Sequence, residues 1–233
     1  MKLLALPLAA LLTACAPAPL TEASPPDDRD LVVLVHGMGR TPISMAPLAW
    51  SLRRAGYRTL NVGYSSQGPD IAALAAGVAD AVRAETARAP APAVHFVGHS
   101  LGGVISRTVL AADPPPAPGR LVLLASPVAG AASADRWAWV LRWTLPPIAE
   151  LRTDAPFRPG ALPERTEVAV ITGDADGKVS PGEACLPGAA TRVIPSGHTA
   201  IMWRPRTARL VKAFLASGEL PGAFACDAPA GDG

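Results

Sequence analysis

Charge is scarce in this 233-residue chain: charged residues make up 17% and the formal net charge is +2. That balance leaves no basic stripe to neutralise phosphates, which argues against nucleic acid as a main partner. Only three lysines occur, Lys2, Lys178 and Lys212, beside many arginines, and proline is abundant at 26. We read both biases as genome composition rather than mechanism. Cysteine is equally rare, present as Cys15, Cys185 and Cys226. The apolar run near the start, Leu3 to Leu12, is too short to span a bilayer as a mature helix. No internal repeat is visible. The length suffices for one sizeable domain with a well-buried core.

What is present begins with "MKLLALPLAALLTAC", where Lys2 precedes the short apolar run in the layout of a secretory signal. Leu12-Thr13-Ala14-Cys15 resembles the bacterial lipobox. The resemblance implies a signal peptide at 1–14 and a lipidated Cys15 that becomes the new N-terminus and anchors the protein to a membrane of the cell envelope. The alternative is an ordinary signal with a chance cysteine. Ala16 leans toward the outer membrane rather than the inner one. Residues 15–30 continue as "CAPAPLTEASPPDDRD", a lipidated cysteine followed by a Pro-rich tether. In an oxidising compartment the remaining pair, Cys185 and Cys226, reads as a disulfide; two unpaired buried thiols are the alternative.

From Leu31 onward, short aliphatic runs alternate with helix-like stretches. The candidate strands are Leu31 to Val35, Arg58 to Val62, Val94 to Val97, Leu121 to Leu124, Glu167 to Thr172 and Thr191 to Ile194. The candidate helices are Ser44 to Ala55, Ile71 to Arg88, Leu101 to Ala112 and Arg204 to Ala216. Continuously apolar strands fit a parallel sheet covered on both faces. The expectation is an α/β domain over 31–218, with about six mainly parallel strands flanked by helices and a tail at 219–233. Between residues 126 and 166 about forty residues interrupt the rhythm, and an insertion that long usually has its own job.

"VHFVGHSLGG" carries the chemistry. Gly98-His99-Ser100-Leu101-Gly102 fits G-x-S-x-G between a strand and a helix, with Gly98 and Gly102 permitting a tight nucleophile elbow that presents Ser100. A serine that only caps the helix is the competing reading. "LVHGMGR" supplies a glycine-rich turn after the first strand, so the N–H groups of Met38 and Leu101 are the expected oxyanion hole.

At this point the chain resembles the α/β-hydrolase family, in particular its small bacterial lipases and esterases, from about Leu31 to Leu215. "HGMG", "GHSLGG", the "DGKV" loop and a late "GH" carry the resemblance, in the order nucleophile, acid, histidine. The early strands of larger members are missing, so the fold is a reduced one. The resemblance implies cofactor-free hydrolysis of carboxylic esters. It also nominates His198 in "IPSGHTAIMW" as base, ahead of His36 (the HG histidine), His95 (within a strand) and His99 (beside the nucleophile). The family's G-x-x-D-x-x-V pattern is met by Gly173, Asp176 and Val179, which selects Asp176 as the acid over Asp174, the latter fitting a turn-former. An EF-hand reading fails because D-A-D-G-K lacks a ligand before its glycine, so no metal is expected.

The insertion crowds together Trp137, Trp139 and Trp143. The segment as a whole reads as a small cap that offers an apolar wall, or a membrane contact, to an acyl-ester or lipid substrate, while any single ring is as readily one that packs the insertion onto the domain. Two function classes follow: a serine esterase or lipase working through a Ser–His–Asp triad, or a non-catalytic lipoprotein on the same fold that binds an envelope lipid or partner. A thioesterase or acyltransferase is a variant of the first.

Overall fold

The computed structural model describes residues 28–67, 70–154 and 157–226. The signal segment 1–14, Cys15, most of the tether and the end of the tail lie outside them. A single sheet runs in the order β2-β1-β3-β4-β5-β6-β7. Its strands are β1 (Leu31–Val35), β2 (Arg58–Val62), β3 (Val94–His99), β4 (Pro118–Leu124), β5 (Val168–Gly173), β6 (Ala190–Ile194) and β7 (Phe224–Ala225). All pairings from β2 to β6 are parallel, and β7 adds antiparallel to β6. The expected six-strand parallel sheet is therefore present, with a seventh strand contributed by the segment read as a tail. Two residues are too few to show an alternating pattern, and the Cys185–Cys226 disulfide holds them against β6.

Both faces of the sheet are covered, as the aliphatic runs require. Along β1, Leu31, Val33 and Val35 enter one core with α2 (Ile71–Arg88) and α3 (Leu101–Ala112). Val32 and Leu34 enter the other with α1 (Ala46–Arg53) and α5 (Pro205–Ser217). All five are fully buried, each stabilising the fold by about 1.5–3 kcal/mol. Helix boundaries agree closely with expectation except that the first helix opens as a 3-10 turn, Pro42–Met45.

The strand order changes direction at β1, whose neighbours β2 and β3 lie on opposite sides. A crevice opens at such a point beyond the carboxyl ends of the strands. The turns that follow β1 and β3 meet there, because Val35 is paired with Gly98.

The insertion holds one helix that the strand–helix rhythm does not suggest, α4 (Ala132–Leu141), followed by a 3-10 turn at Pro146–Leu151. Helix α4 faces the core with small residues, Ala134 and Ala138, and with Leu141 at the same helical spacing. Its large aromatics point elsewhere.

Candidate active site

Ser100 sits between β3 and α3 with φ 53° and ψ −125°, a strained conformation for a residue with a side chain. The glycines around it answer to specific contacts. A Cβ on Gly98 would lie 2.4 Å from the carbonyl oxygen of Gly102, and one on Gly102 would lie 2.2 Å from that of Val35. The turn closes only because both positions lack a side chain. The hydroxyl makes no capping hydrogen bond to α3. Instead Ser100 Oγ lies 3.1 Å from His198 Nε2.

His198 stands after β6, and its Nδ1 is 2.8 Å from Asp176 Oδ2. The other Asp176 oxygen accepts the N–H groups of Lys178 at 2.8 Å and Val179 at 3.0 Å. Burial pushes the Asp176 carboxyl upward, but the hydrogen bonds from His198, Val179 and Lys178 outweigh it and hold the group below the ordinary aspartate value. The Asp176 side chain is fully shielded and that of His198 nearly so, at 0% and 11% exposure. An ionised carboxylate on Nδ1 fixes the tautomer in which Nε2 can take a proton from the serine.

Asp174 does something else. Its Oδ1 accepts the Ser196 N–H at 3.2 Å, while its own N–H donates to Ile194 O and Ala175 N–H donates to Ser196 O. These bonds stitch the loop after β5 to the loop after β6, and so bring Asp176 against His198. Gly173 is required at the seam, since a Cβ there would lie 2.1 Å from Ser196 O.

Met38 and Leu101 follow adjacent strands. Leu101 opens α3, where the first amides of a helix lack an intrahelical partner. A Cβ on Gly37 would come within 3.1 Å of Ser100 Cβ, so the HGMG turn passes directly over Ser100. The turn is braced by residues the sequence did not single out. Tyr64 O–H donates to His36 O at 2.6 Å, and the Tyr64 ring stacks on His36 at 4.2 Å. Ser66 Oγ accepts the Gly39 N–H at 2.8 Å, and Arg40 donates to Thr199 Oγ1, next to His198. Burial lowers the His36 pKa, against smaller opposing hydrogen-bond effects. Tyr64 and Ser66 follow β2, whose carboxyl end adjoins that of β1, and that adjacency was the available signal.

The other histidines separate clearly. His95 is a satisfied strand histidine: Nδ1 accepts the Arg120 N–H at 2.8 Å, and Nε2 faces Asp30 at 3.4 Å. His99 is buried, and its Nε2 is 2.8 Å from the His198 carbonyl oxygen, to which it must donate. Burial, reinforced by the nearby His198, lowers the His99 pKa to about 3, so the ring stays neutral. Its Nδ1 has no hydrogen-bond partner among the described residues.

Ser100, Asp176 and His198 open onto a cavity of about 730 Å³, within the roughly 300–1,000 Å³ usual for small-ligand sites. Met38, Trp137, Leu141, Leu145, Ile148 and Leu151 form much of its wall. Of the three tryptophans expected there, only Trp137 lines it. Trp139 and Trp143 face solvent, 71% and 80% exposed: the small-residue face of α4 packs inward and turns Trp139 out, and Trp143 lies in the turn beyond the helix. Cys185 and Cys226 are disulfide-bonded. No group of three or more His, Cys, Asp or Glu side chains is placed to hold a metal among the described residues.

The sheet order, the strained serine elbow and the carboxylate-bound histidine define an α/β hydrolase. Residues 26–176 match the family described as serine aminopeptidase, S33. The chain belongs to that family. Among solved structures it resembles the mature lipase BlEst2 of Bacillus licheniformis, at 19% identity and TM-score 0.63 over 85% of this chain and 95% of that one. A metagenomic carboxyl esterase, MGS0156, matches at 19% identity and TM-score 0.64 over 87% and 79%. The carboxylesterase CesB of Bacillus subtilis matches at 14% and 0.57 over 83% and 86%. At these identities the likeness is one of fold. No curated protein matches significantly by sequence.

Proposed function

We propose that the protein is an esterase of the lipase type that hydrolyses carboxylic esters through an acyl-enzyme on Ser100. The carrying observation is the unbroken relay from Ser100 Oγ through His198 to Asp176, at 3.1 and 2.8 Å, facing a cavity with a largely aliphatic wall. His198 Nε2 takes the Ser100 proton as Oγ attacks the ester carbonyl. The N–H groups of Met38 and Leu101 hold the oxyanion of the tetrahedral intermediate, and removing one such donor typically costs about 2.7–4 kcal/mol. His198 returns the proton to the departing alcohol, and water then releases the acid by the reverse sequence. Similarity to proteins named lipase and carboxylesterase supports this reading.

The family's name suggests peptide substrates, but an aminopeptidase needs an acidic group for the substrate ammonium. Each carboxylate lining this cavity is already committed: Asp176 to His198, and Glu183 to the N–H groups of Ala132 and Ser180, both at 2.6 Å. Esters therefore fit the cavity better.

The lipobox-like sequence supports attachment to the bacterial envelope through acylated Cys15, more fittingly at the outer membrane, with the Pro-rich segment as tether. No helix among the described residues is long and apolar enough to cross a membrane.

The purified full chain in detergent should cleave p-nitrophenyl esters and label with a fluorophosphonate, and Ser100→Ala should abolish both. Folded protein that takes up no label, or equal labelling of Ser100→Ala, would sink the proposal. Palmitate fed to cells should enter the wild type and not Cys15→Ala; incorporation into the variant would refute the anchor.

A further inference from the structure

The cavity is not apolar all round. Arg136 of α4 and Lys178 of the loop after β5 also line it. They are brought to the same rim because Ser133 Oγ, one turn before Arg136, donates to Lys178 O at 2.7 Å. Neither cation forms an ion pair among the described residues. The acidic side chains nearby are turned to other work. Glu183 holds the N-terminus of α4 to the Ser180 turn, Asp176 holds His198, and Asp135 accepts from Thr153 N and Oγ1 at 2.8 and 2.6 Å. Two unbalanced cations thus line the same cavity as Ser100, together with an aliphatic wall of Leu141, Leu145, Ile148 and Leu151.

We propose that Arg136 and Lys178 form an anion subsite, and that the natural substrate is an amphiphilic ester: an acyl chain against the leucine and isoleucine wall, and a phosphate or carboxylate on the alcohol side. The proposal rests on the esterase reading above and specifies its substrate class. Arginine suits a planar or tetrahedral oxyanion through paired N–H groups, while lysine supplies a mobile point charge. Both are solvent-exposed, so each contact is worth little alone, and added salt screens it.

The test uses the full chain in neutral detergent with octanoyl glycerol, octanoyl glycerol phosphate and octanoyl lactate as substrates. The wild type should show a higher kcat/KM for the two anionic esters than for octanoyl glycerol, a preference that shrinks at high salt. A preference for the phosphate ester alone also supports the subsite and narrows its ligand. Arg136→Gln and Lys178→Gln should each reduce the anionic-to-neutral ratio by up to about fivefold, and Arg136→Glu with Lys178→Glu should invert it. The ratio is internal to each variant, so a change in folded fraction cancels. A wild type that cleaves octanoyl glycerol but gains nothing from the anion, or a ratio unmoved in the reversed double variant, overturns the subsite alone. A protein that neither takes up fluorophosphonate nor cleaves any ester overturns the esterase reading as well.

Discussion

Asp176 accepts three hydrogen bonds, from His198 Nδ1 and from the N–H groups of Lys178 and Val179, whereas Asp174 accepts one, from Ser196 N–H. The two residues thus carry different loads in one loop. Asp176→Asn should lower kcat by about a thousandfold or more, since an amide at Nδ1 favours the wrong imidazole tautomer. Asp174→Asn should keep kcat within about threefold, because an amide oxygen still accepts from Ser196, and should lower stability by about 0.5–1 kcal/mol. Kinetics and urea unfolding of both variants check this; a larger kcat loss in Asp174→Asn would exchange their roles. The sequence pattern distinguished the pair for a physical reason. Val179 follows Asp176 at the distance where its N–H reaches the carboxylate, so Gly173, Asp176 and Val179 spell out a turn. His99 was not legible in the same way. Nothing in G-x-S-x-G says that its ring donates to the His198 carbonyl, because that contact spans 99 positions in the chain.

At the scale of elements, legibility follows how local the determinants are. Helix α3 and its elbow could be read directly, since strand, glycines and helix are contiguous. Helix α2 could be read equally well, capped by Asp70, whose side chain accepts the Ala73 N–H at 2.6 Å. Helix α4 could not be oriented from its aromatics. Its anchor is the alanine face, with the Ala132 N–H bound by Glu183 and Ser133 bound to the Lys178 carbonyl. Tryptophan is usually the residue that buries most area, so a reading by size points Trp139 inward, and the packing of small residues reverses it. Strand β7 was invisible for the opposite reason: two residues gain a place in the sheet through a covalent tie rather than through their own pattern.

For the molecule as a whole, acid should be destabilising in two overlapping windows. Burial holds His36, His95 and His99 below the ordinary histidine value of 6.5, with His99 at about 3. Below 6.5 the unfolded chain binds protons that these folded-state rings refuse, so stability is full above that value and falls as the pH drops, for His99 down to about 3 and for His36 and His95 down to their own lowered values. Each such group costs about 1.4 kcal/mol per pH unit while the two states differ by one proton. The contribution of Asp176 starts to be lost near the ordinary aspartate value of 3.8, before the His99 window has closed. His99→Gln keeps a donor for the His198 carbonyl and removes one titrating ring. Its stability should therefore fall less steeply between about pH 6 and about pH 4, by about 1.4 kcal/mol per unit. Urea unfolding at several pH values measures this, and an unchanged slope would mean that His99 accepts its proton in the folded state.

The disulfide also sorts the chain topologically. Cys185 and Cys226, separated by 41 positions, close a covalent macrocycle that contains β6, His198, α5 and β7. Ser100 and Asp176 lie outside it, on the linear part of the polymer. In the oxidised unfolded chain His198 is therefore confined within a small ring whose conformational freedom is already curtailed. In the folded protein that ring lies against the rest of the sheet through the pairing of β6 with β5, which sets His198 beside Asp176.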